Sequence, residues 1–212
     1  DAILFTGDLV HDERPEAYRY LRQQFDRLDC LCFSIPGNHD RIDLLAAEID
    51  ADANQGFRVK QLGAWDILLL DSTIPGSEAG RLKPDTLIAL ERFLGGSEER
   101  PALISLHHQP VAIGSRWIDS MQVDNGDALL ALAERYPQIR VILWGHVHQA
   151  FDQQRGHTRL LATPSTCAQF RPNSREFALD QQLPGYRWLE LEADGSIGTG
   201  VERLASARNE AL

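Results

Sequence analysis

Residues 141–148, Val-Ile-Leu-Trp-Gly-His-Val-His, decide how this chain of 212 residues folds. The first four side chains have the composition of a buried strand, and Gly145 then allows the backbone to turn closely. If the segment stays extended, His146 and His148 project to the same side while Val147 points away. Exposed imidazoles paired in this way are typical of metal sites.

Three other predicted buried strands end in the same manner, with a polar or ionisable side chain just past the last apolar residue. Asp8 follows Ile-Leu-Phe-Thr-Gly, Asn38 and His39 follow Phe-Ser-Ile-Pro-Gly, and His107 follows Ala-Leu-Ile-Ser-Leu. Because the carboxyl ends of strands in an open α/β sheet converge on one crevice, these side chains are expected to share a site. Their carboxylate, amide and imidazole groups suit hard or borderline divalent cations, and a carboxylate such as Asp8 can bridge two of them.

Each of these motifs has a simpler interpretation when it is taken alone. Gly7-Asp8 after a strand is typical of an ordinary turn, and so is Asn38-His39 in a Pro-Gly turn. The four motifs together, in this order and all at strand ends, favour a metal centre. Of the other histidines, His11 and His157 are expected to be surface or loop residues, and His108 either lines the site or packs beneath it.

The charge and the cysteine content exclude several classes of function. There are 31 acidic and 21 basic residues, and the net charge of −10 disfavours binding to nucleic acid. A small anionic substrate remains compatible, because bound cations dominate the field inside a site. No apolar run reaches the roughly 18 residues that a membrane span requires. Cys30, Cys32 and Cys167 are odd in number and form no CxxC pair, which predicts a reducing compartment such as the cytoplasm.

Strands and helices alternate along the first two thirds of the chain, and short strands follow. This order predicts an α/β sheet that merges with a more antiparallel one, in a single domain spanning residues 1–212. Helices are predicted over 15–28, 41–50, 84–94 and 124–136. Late strands are predicted near 149–153, 158–162, 176–180, 186–191 and 197–203.

The strand-end motifs resemble the signature of the calcineurin-like metallophosphoesterases, D-x-H … G-D … G-N-H-[DE] … H … G-H-x-H. The matching residues are Gly7-Asp8, Gly37-Asn38-His39-Asp40, His107 and 145–148. The segments LHHQPVAIGSRWIDS, ILWGHVHQAFD and LLATPSTCAQFRPNSREFALD are further similar to the bacterial 3′,5′-cyclic-AMP phosphodiesterases of this family, and the resemblance extends to about Arg203.

The resemblance implies a fold and an activity. The fold is a four-layer α/β/β/α sandwich of two mixed β-sheets flanked by helices. The activity is metal-dependent hydrolysis of 3′,5′-cyclic AMP to 5′-AMP, with two metal ions (iron, manganese, zinc or cobalt) activating a bridging water. The substrate is thus a small cyclic nucleotide.

The resemblance also assigns roles to individual residues. Asp8 bridges both metals and is catalytic, Asn38, His107 and His146 complete one metal site, and His148 contributes to the other. His39 is catalytic, because it contacts the phosphate and stabilises the transition state. Asp8, Asn38, His39 and His148 also bind the substrate.

The D-x-H part of the signature does not occur in these 212 residues. It belongs to a preceding strand–helix unit of about 30 residues or more. We therefore expect an N-terminal truncation that leaves the second metal site incomplete and one sheet edge unpaired.

Two alternatives stay open. One is a phosphodiesterase or phosphatase of the same fold with broader specificity, acting on nucleotides or glycerophosphodiesters. The other is a degenerate, non-catalytic metal-binding protein that has lost D-x-H. Selectivity is expected to lie in the loops around Trp117 and Arg171. Trp117 either stacks on a substrate base or is a buried aromatic of the core.

Overall fold

A mixed six-stranded sheet forms the centre of the computed structural model, which describes residues 1–96 and 100–205. The elements, in chain order, are β1 (Ala2–Phe5), α1 (Pro15–Phe25), β2 (Leu31–Ser34), α2 (Ile42–Glu48), β3 (Phe57–Leu62), β4 (Trp65–Leu70), α3 (Pro84–Gly96), β5 (Ala102–Leu106), α4 (Arg116–Asp119), α5 (Gly126–Arg135), β6 (Ile139–Trp144), β7 (Phe151–Arg155), β8 (Thr158–Ala162), β9 (Gly185–Leu191) and β10 (Ile197–Arg203).

The six strands lie in the order β3-β4-β5-β6-β8-β7. β4, β5, β6 and β8 are parallel to one another, whereas the edge strands β3 and β7 pair in the antiparallel direction. Every residue of β4 and β5 is buried. Strands that are covered on both faces are continuously apolar, which is why their sequences predict them so well.

Each face of this sheet packs against a different layer. On one face Leu68, Ile104 and Ile142 contact leucines of α3 and α5. On the opposite face Leu69, Leu103 and Leu143 pack against β1, β2, β9 and β10. Helix α1 lies outside β1, where Phe25 stacks on Phe5 with ring centroids 4.2 Å apart. The layers follow one another as α/β/β/α, and the expected fold class is confirmed.

The second β layer consists of two separate pairs in the described residues. β1 and β2 form a parallel pair, and β9 and β10 form an antiparallel pair. Within 1–96 and 100–205, β1 pairs with β2 alone. In the same part of the chain, no helix is long and apolar enough to cross a membrane.

The structure corrects one predicted strand and adds two elements. Residues 176–180 are not a strand, because the chain there folds back in a turn and makes a single bridge between Phe170 and Leu179. Strand β3 was not predicted, since as an edge strand it mixes polar and apolar side chains. Helix α4 has four residues, too few to show a helical period.

Candidate metal centre

Loops from both β layers meet at one edge of the sandwich. Asp8 and Asn38 follow the parallel strands β1 and β2, and His107 and His146 follow β5 and β6 of the central sheet. The two layers are joined at this edge, because His107 Nδ1 lies 2.7 Å from the carbonyl oxygen of Thr6. The loops of the central sheet are joined by a hydrogen bond of 3.1 Å from Gly145 N–H to the His107 carbonyl. The four strand ends therefore form a single site.

Three potential ligand atoms converge beside His107. Its Nε2 lies 3.2 Å from Asp8 Oδ2 and 3.1 Å from Asn38 Oδ1. Because the Thr6 carbonyl can only accept, Nδ1 carries the donated proton, and Nε2 is the ring atom that faces the two oxygens. A proton on Nε2 would donate to Asp8, and a metal cation in its place would be met by a nitrogen lone pair and two oxygens. A hydrogen bond from the second ring nitrogen to a carbonyl is also the usual way to orient a metal-bound histidine.

The charges of Asp8 and His107 depend on each other. Burial opposes ionisation of Asp8, but the charge and hydrogen bond of His107, with the N–H of His39, outweigh it and hold the pKa of Asp8 well below its usual range. Burial lowers the pKa of His107, yet the Asp8 carboxylate outweighs burial and raises it above the ordinary value. Asp8 is thus ionised and favours a positive charge beside it, either a proton on His107 or a metal cation.

His146 and His108 extend the group into the core. Ligand atoms of His107, His108 and His146 lie within 4.8 Å of one another, and all three side chains are buried. The Nε2 atoms of His108 and His146 have no hydrogen-bond partner among the described residues. Burial, together with neighbouring His107, lowers the pKa of His108 to about 3 and that of His146 well below its ordinary value. Both imidazoles are neutral and offer the lone pair that a metal ligand needs.

His108 belongs to the buried group of histidines beside the site. Its Nδ1 lies 2.8 Å from Ser72 Oγ, and its Nε2 has no partner among the described residues. The sequence left this residue undecided, because a second histidine after a strand end has no fixed direction until the neighbouring loop is known.

His148 lies at the margin of the group. Its Nδ1 is 2.9 Å from the carbonyl oxygen of Ala168, and its ring stacks on Phe170 at a centroid distance of 4.1 Å. The expected extended conformation of this segment is wrong, since φ is +57° at His146 and +48° at His148. Val147 is buried in the core, and the histidines on either side of it lie close enough to Asp8 and His107 for those charges to affect their pKa values.

Left-handed backbone at these residues is unusual. Asp8 also has a positive φ, of +55°. Such conformations cost about 1–3 kcal/mol each for residues other than glycine and cluster at functional sites. The close approach of the loops further requires glycine, because a Cβ at Gly37 would overlap the carboxylate of Asp8.

His39 presents its ring at the mouth of the site. Its backbone N–H donates to Asp8 Oδ1 at 3.0 Å, while the half-exposed imidazole faces His11 at a ring-centroid distance of 4.8 Å. His11 is exposed, as expected for a loop residue, but its contact with His39 was not foreseen. The His39 ring is therefore partly exposed and lies outside the group of buried histidines.

Asp40 is a positioning residue whose role was not predicted from the sequence. Its carboxylate accepts N–H groups of Leu9, Val10 and Gly37 at 2.9–3.2 Å. The hydroxyl of Tyr18 donates to it as well, at 3.1 Å. Asp40 thus joins the Asp8 loop to the Asn38 loop. The sequence feature that could have indicated this role is the position of Asp40 at the end of the motif Gly37-Asn38-His39-Asp40.

Asp40→Asn is expected to lower turnover or metal affinity by about 10- to 100-fold, the usual effect of losing a group that orients metal ligands. The amide nitrogen would face N–H donors of Leu9 or Gly37, so one of the two loops would have to shift. The effect can be measured as the metal affinity, by calorimetry, and as kcat for hydrolysis of a phosphodiester.

Asp43→Asn is the control for Asp40→Asn, since it removes the same charge from an exposed carboxylate paired with Arg41. It should behave like the wild type. Unchanged metal affinity and unchanged kcat in Asp40→Asn would show that Asp40 does not position the loops.

Solved structures share the fold at low sequence identity. A dimetal phosphatase from Danio rerio matches with a TM-score of 0.64 and 14% identity, over 89% of this chain and 79% of that one. GAP50, the anchor in the inner membrane complex of Plasmodium, matches with a TM-score of 0.66 and 12% identity, over 95% and 74%. At this level of identity the likeness shows the fold alone.

The chain belongs to the calcineurin-like phosphoesterase family, whose profile matches residues 1–150. The resemblance found in the motifs is confirmed, and with it the class of metal-dependent phosphoester hydrolase. The chain is 44% identical to the 3′,5′-cyclic adenosine monophosphate phosphodiesterase CpdA of Pseudomonas aeruginosa, covering 96% of this chain and 75% of that protein. For CpdA of Escherichia coli K12 the identity is 40%, over 98% and 76%. A 3′,5′-cyclic-nucleotide phosphodiesterase of Nostoc sp. is 39% identical, over 96% and 77%.

Proposed function

We propose that this protein hydrolyses 3′,5′-cyclic AMP to 5′-AMP in a metal-dependent reaction. The observation that carries the proposal is the convergence of Asp8 Oδ2, Asn38 Oδ1 and His107 Nε2, a set of oxygen and nitrogen atoms that suits a divalent cation. The substrate is supported by the names of the relatives that are 39–44% identical over nearly the whole chain.

The metal would be held by residues from both layers. Asp8, Asn38, His107 and His146 would hold one divalent ion, and Asp8 with His148 would contribute to a second, of iron, manganese, zinc or cobalt. These donors fit, because the buried Nε2 of His146 has no partner among the described residues. When bound, two such ions activate an attacking water and offset the charge that develops on the phosphoryl oxygens.

The chain's own residues would orient the phosphodiester and stabilise the charge that forms on it. Asp8 and Asn38 lie beside the phosphate position, and the half-exposed ring of His39 would donate to a phosphoryl oxygen. Hydrolysis joins a water oxygen to phosphorus and breaks the bond to the 3′ oxygen, which leaves with a proton. His39 is suited to stabilise this transition state, because its position is fixed by the bond from its own N–H to Asp8.

A substrate panel tests the proposal. With manganese present, the protein should convert cyclic AMP to 5′-AMP, without 3′-AMP, when the products are separated by chromatography. Cyclic GMP, glycerophosphocholine and bis(p-nitrophenyl) phosphate complete the panel. Turnover of glycerophosphocholine with none of cyclic AMP would overturn the substrate assignment but keep the phosphodiesterase class.

We also propose a cytoplasmic location and one domain over residues 1–212. The location is supported by Cys30, Cys32 and Cys167, which are free thiols in the described part of the chain. The single domain is supported by the packing of helices on one face of the central sheet and of the second β layer on its other face.

A further inference from the structure

Three aromatic rings pack together beside His148 and form an aromatic cluster of Trp117, Phe170 and Phe177. Phe170 stacks on the His148 ring at 4.1 Å with an interplanar angle of 6°. Trp117 meets Phe170 at 5.1 Å and Phe177 at 5.2 Å, and the two phenylalanines lie 5.5 Å apart, all edge to face. The cluster therefore begins at a residue of the candidate site and extends away from it.

The loop between β8 and β9 holds this cluster in place. Phe170 N–H donates to the His148 carbonyl at 3.3 Å, and Asp180 N–H donates to Gln169 at 2.9 Å. Arg171 N–H also donates across the turn, to Ala178 at 2.8 Å. These bonds fix the two phenylalanines on one turn. The loops around Trp117 and Arg171, which were expected to determine substrate selectivity, are thus in contact through Trp117 and Phe170.

The three rings differ in how much of their surface is free. Trp117 is half-buried and packs against the main core, and Phe170 is half-buried with one face on His148. Phe177 is 61% exposed. A large apolar ring held rigidly by neighbours, yet left open to solvent, lowers the conformational cost of binding a flat ligand. Phe177 rather than Trp117 is therefore the ring most open to a ligand.

We propose that Phe177 stacks on the base of the cyclic nucleotide, with a preference for purines. The inference rests on the proposed function, because the base of a bound nucleotide lies one sugar ring away from the phosphate at the metal centre. Phe177 is separated from His148 by the single ring of Phe170, with centroid distances of 4.1 and 5.5 Å along this path. A base that projects over this side of the site would therefore meet Phe177. A purine overlaps a phenyl ring more fully than a pyrimidine does.

The test compares Phe177→Ala with the wild type on two substrates. Stacking on an aromatic side chain contributes about 1–3 kcal/mol per base, and an exposed ring should contribute near the lower limit. KM for cyclic AMP should therefore rise about five- to tenfold with kcat nearly unchanged. KM for methyl riboside 3′,5′-cyclic phosphate, in which a methoxy group replaces the base, should not change.

Two further variants separate stacking from apolar bulk. Phe177→Leu should resemble Phe177→Ala, whereas Phe177→Trp should restore or lower KM for cyclic AMP. Tyr186→Ala is the control for removing an exposed aromatic, because Tyr186 is 57% exposed on β9, outside the cluster. It should leave both constants unchanged.

The possible failures are distinct. If the wild type does not hydrolyse cyclic AMP, the proposed function fails, and titration calorimetry with 5′-AMP still tests the stacking, since Phe177→Ala should weaken that binding. If cyclic AMP is hydrolysed with the same KM by Phe177→Ala and the wild type, the stacking role is overturned and the proposed function stands. An equal rise in KM for the methyl riboside would also overturn it, because the loss would then be independent of the base.

Discussion

Asp8→Asn is expected to reduce phosphodiesterase turnover by more than about a hundredfold, since groups that merely orient metal ligands already contribute 10- to 100-fold. The substitution keeps the shape of the side chain, and its remaining oxygen can still accept the N–H of His39. It removes the negative charge that raises the pKa of His107 and makes the pocket attract cations. Metal content measured by mass spectrometry should fall together with kcat.

Asp66→Asn is a matched control for Asp8→Asn. Asp66 is buried at the start of β4 and pairs with Arg100 at 3.1 Å, far from the strand ends that form the site. This variant should lose some stability but retain its metal and its kcat. A metal-loaded Asp8→Asn protein with wild-type turnover would remove Asp8 from the site.

His39→Ala is expected to lower kcat by about 100- to 1000-fold, the usual effect of removing one donor that stabilises developing charge. Metal content should stay at the wild-type level. The reason is that the contact of His39 with Asp8 comes from its backbone N–H, which alanine retains. The imidazole itself faces the opening of the site and His11.

His157→Ala controls for the loss of a histidine, because His157 bonds to the carbonyl of Ala133 at 2.7 Å beside α5 and takes no part in the site. It should keep kcat. Loss of metal from His39→Ala would reassign His39 as a ligand, whereas an unchanged kcat with metal bound would exclude a catalytic role.

The parts of the structure that the sequence predicts best are the strands buried on both faces. β4, β5 and β6 are mostly apolar, because every position in them except Arg140 is buried. Their abrupt change to polar residues also predicts the edge at which the site lies. That Asp8, Asn38 and His107 meet there follows from strand direction alone, without knowledge of the loops.

The parts that escaped prediction depend on contacts between loops. The role of Asp40 arises because the N–H groups of Leu9 and Val10 are brought to it from another strand end. The left-handed conformation at His146 and His148 is imposed by the fold, since intrinsic preference disfavours it. Phe177 lies in a segment that has the composition of a strand but is folded into a turn, so its exposed face could not be foreseen.

The division of the candidate ligands between the two β layers has a thermodynamic consequence. Asp8 and Asn38 follow strands of the second β layer, and His107 and His146 follow strands of the central sheet. An ion bound by all four would therefore hold the two layers together, and their association would become stronger as the concentration of the ion rises. A cation that binds the native state alone adds about 2.7 kcal/mol to the free energy of unfolding at a hundredfold excess over Kd. The catalytic centre would then also be a tertiary cross-link, and chelators would loosen the sandwich as well as stop turnover.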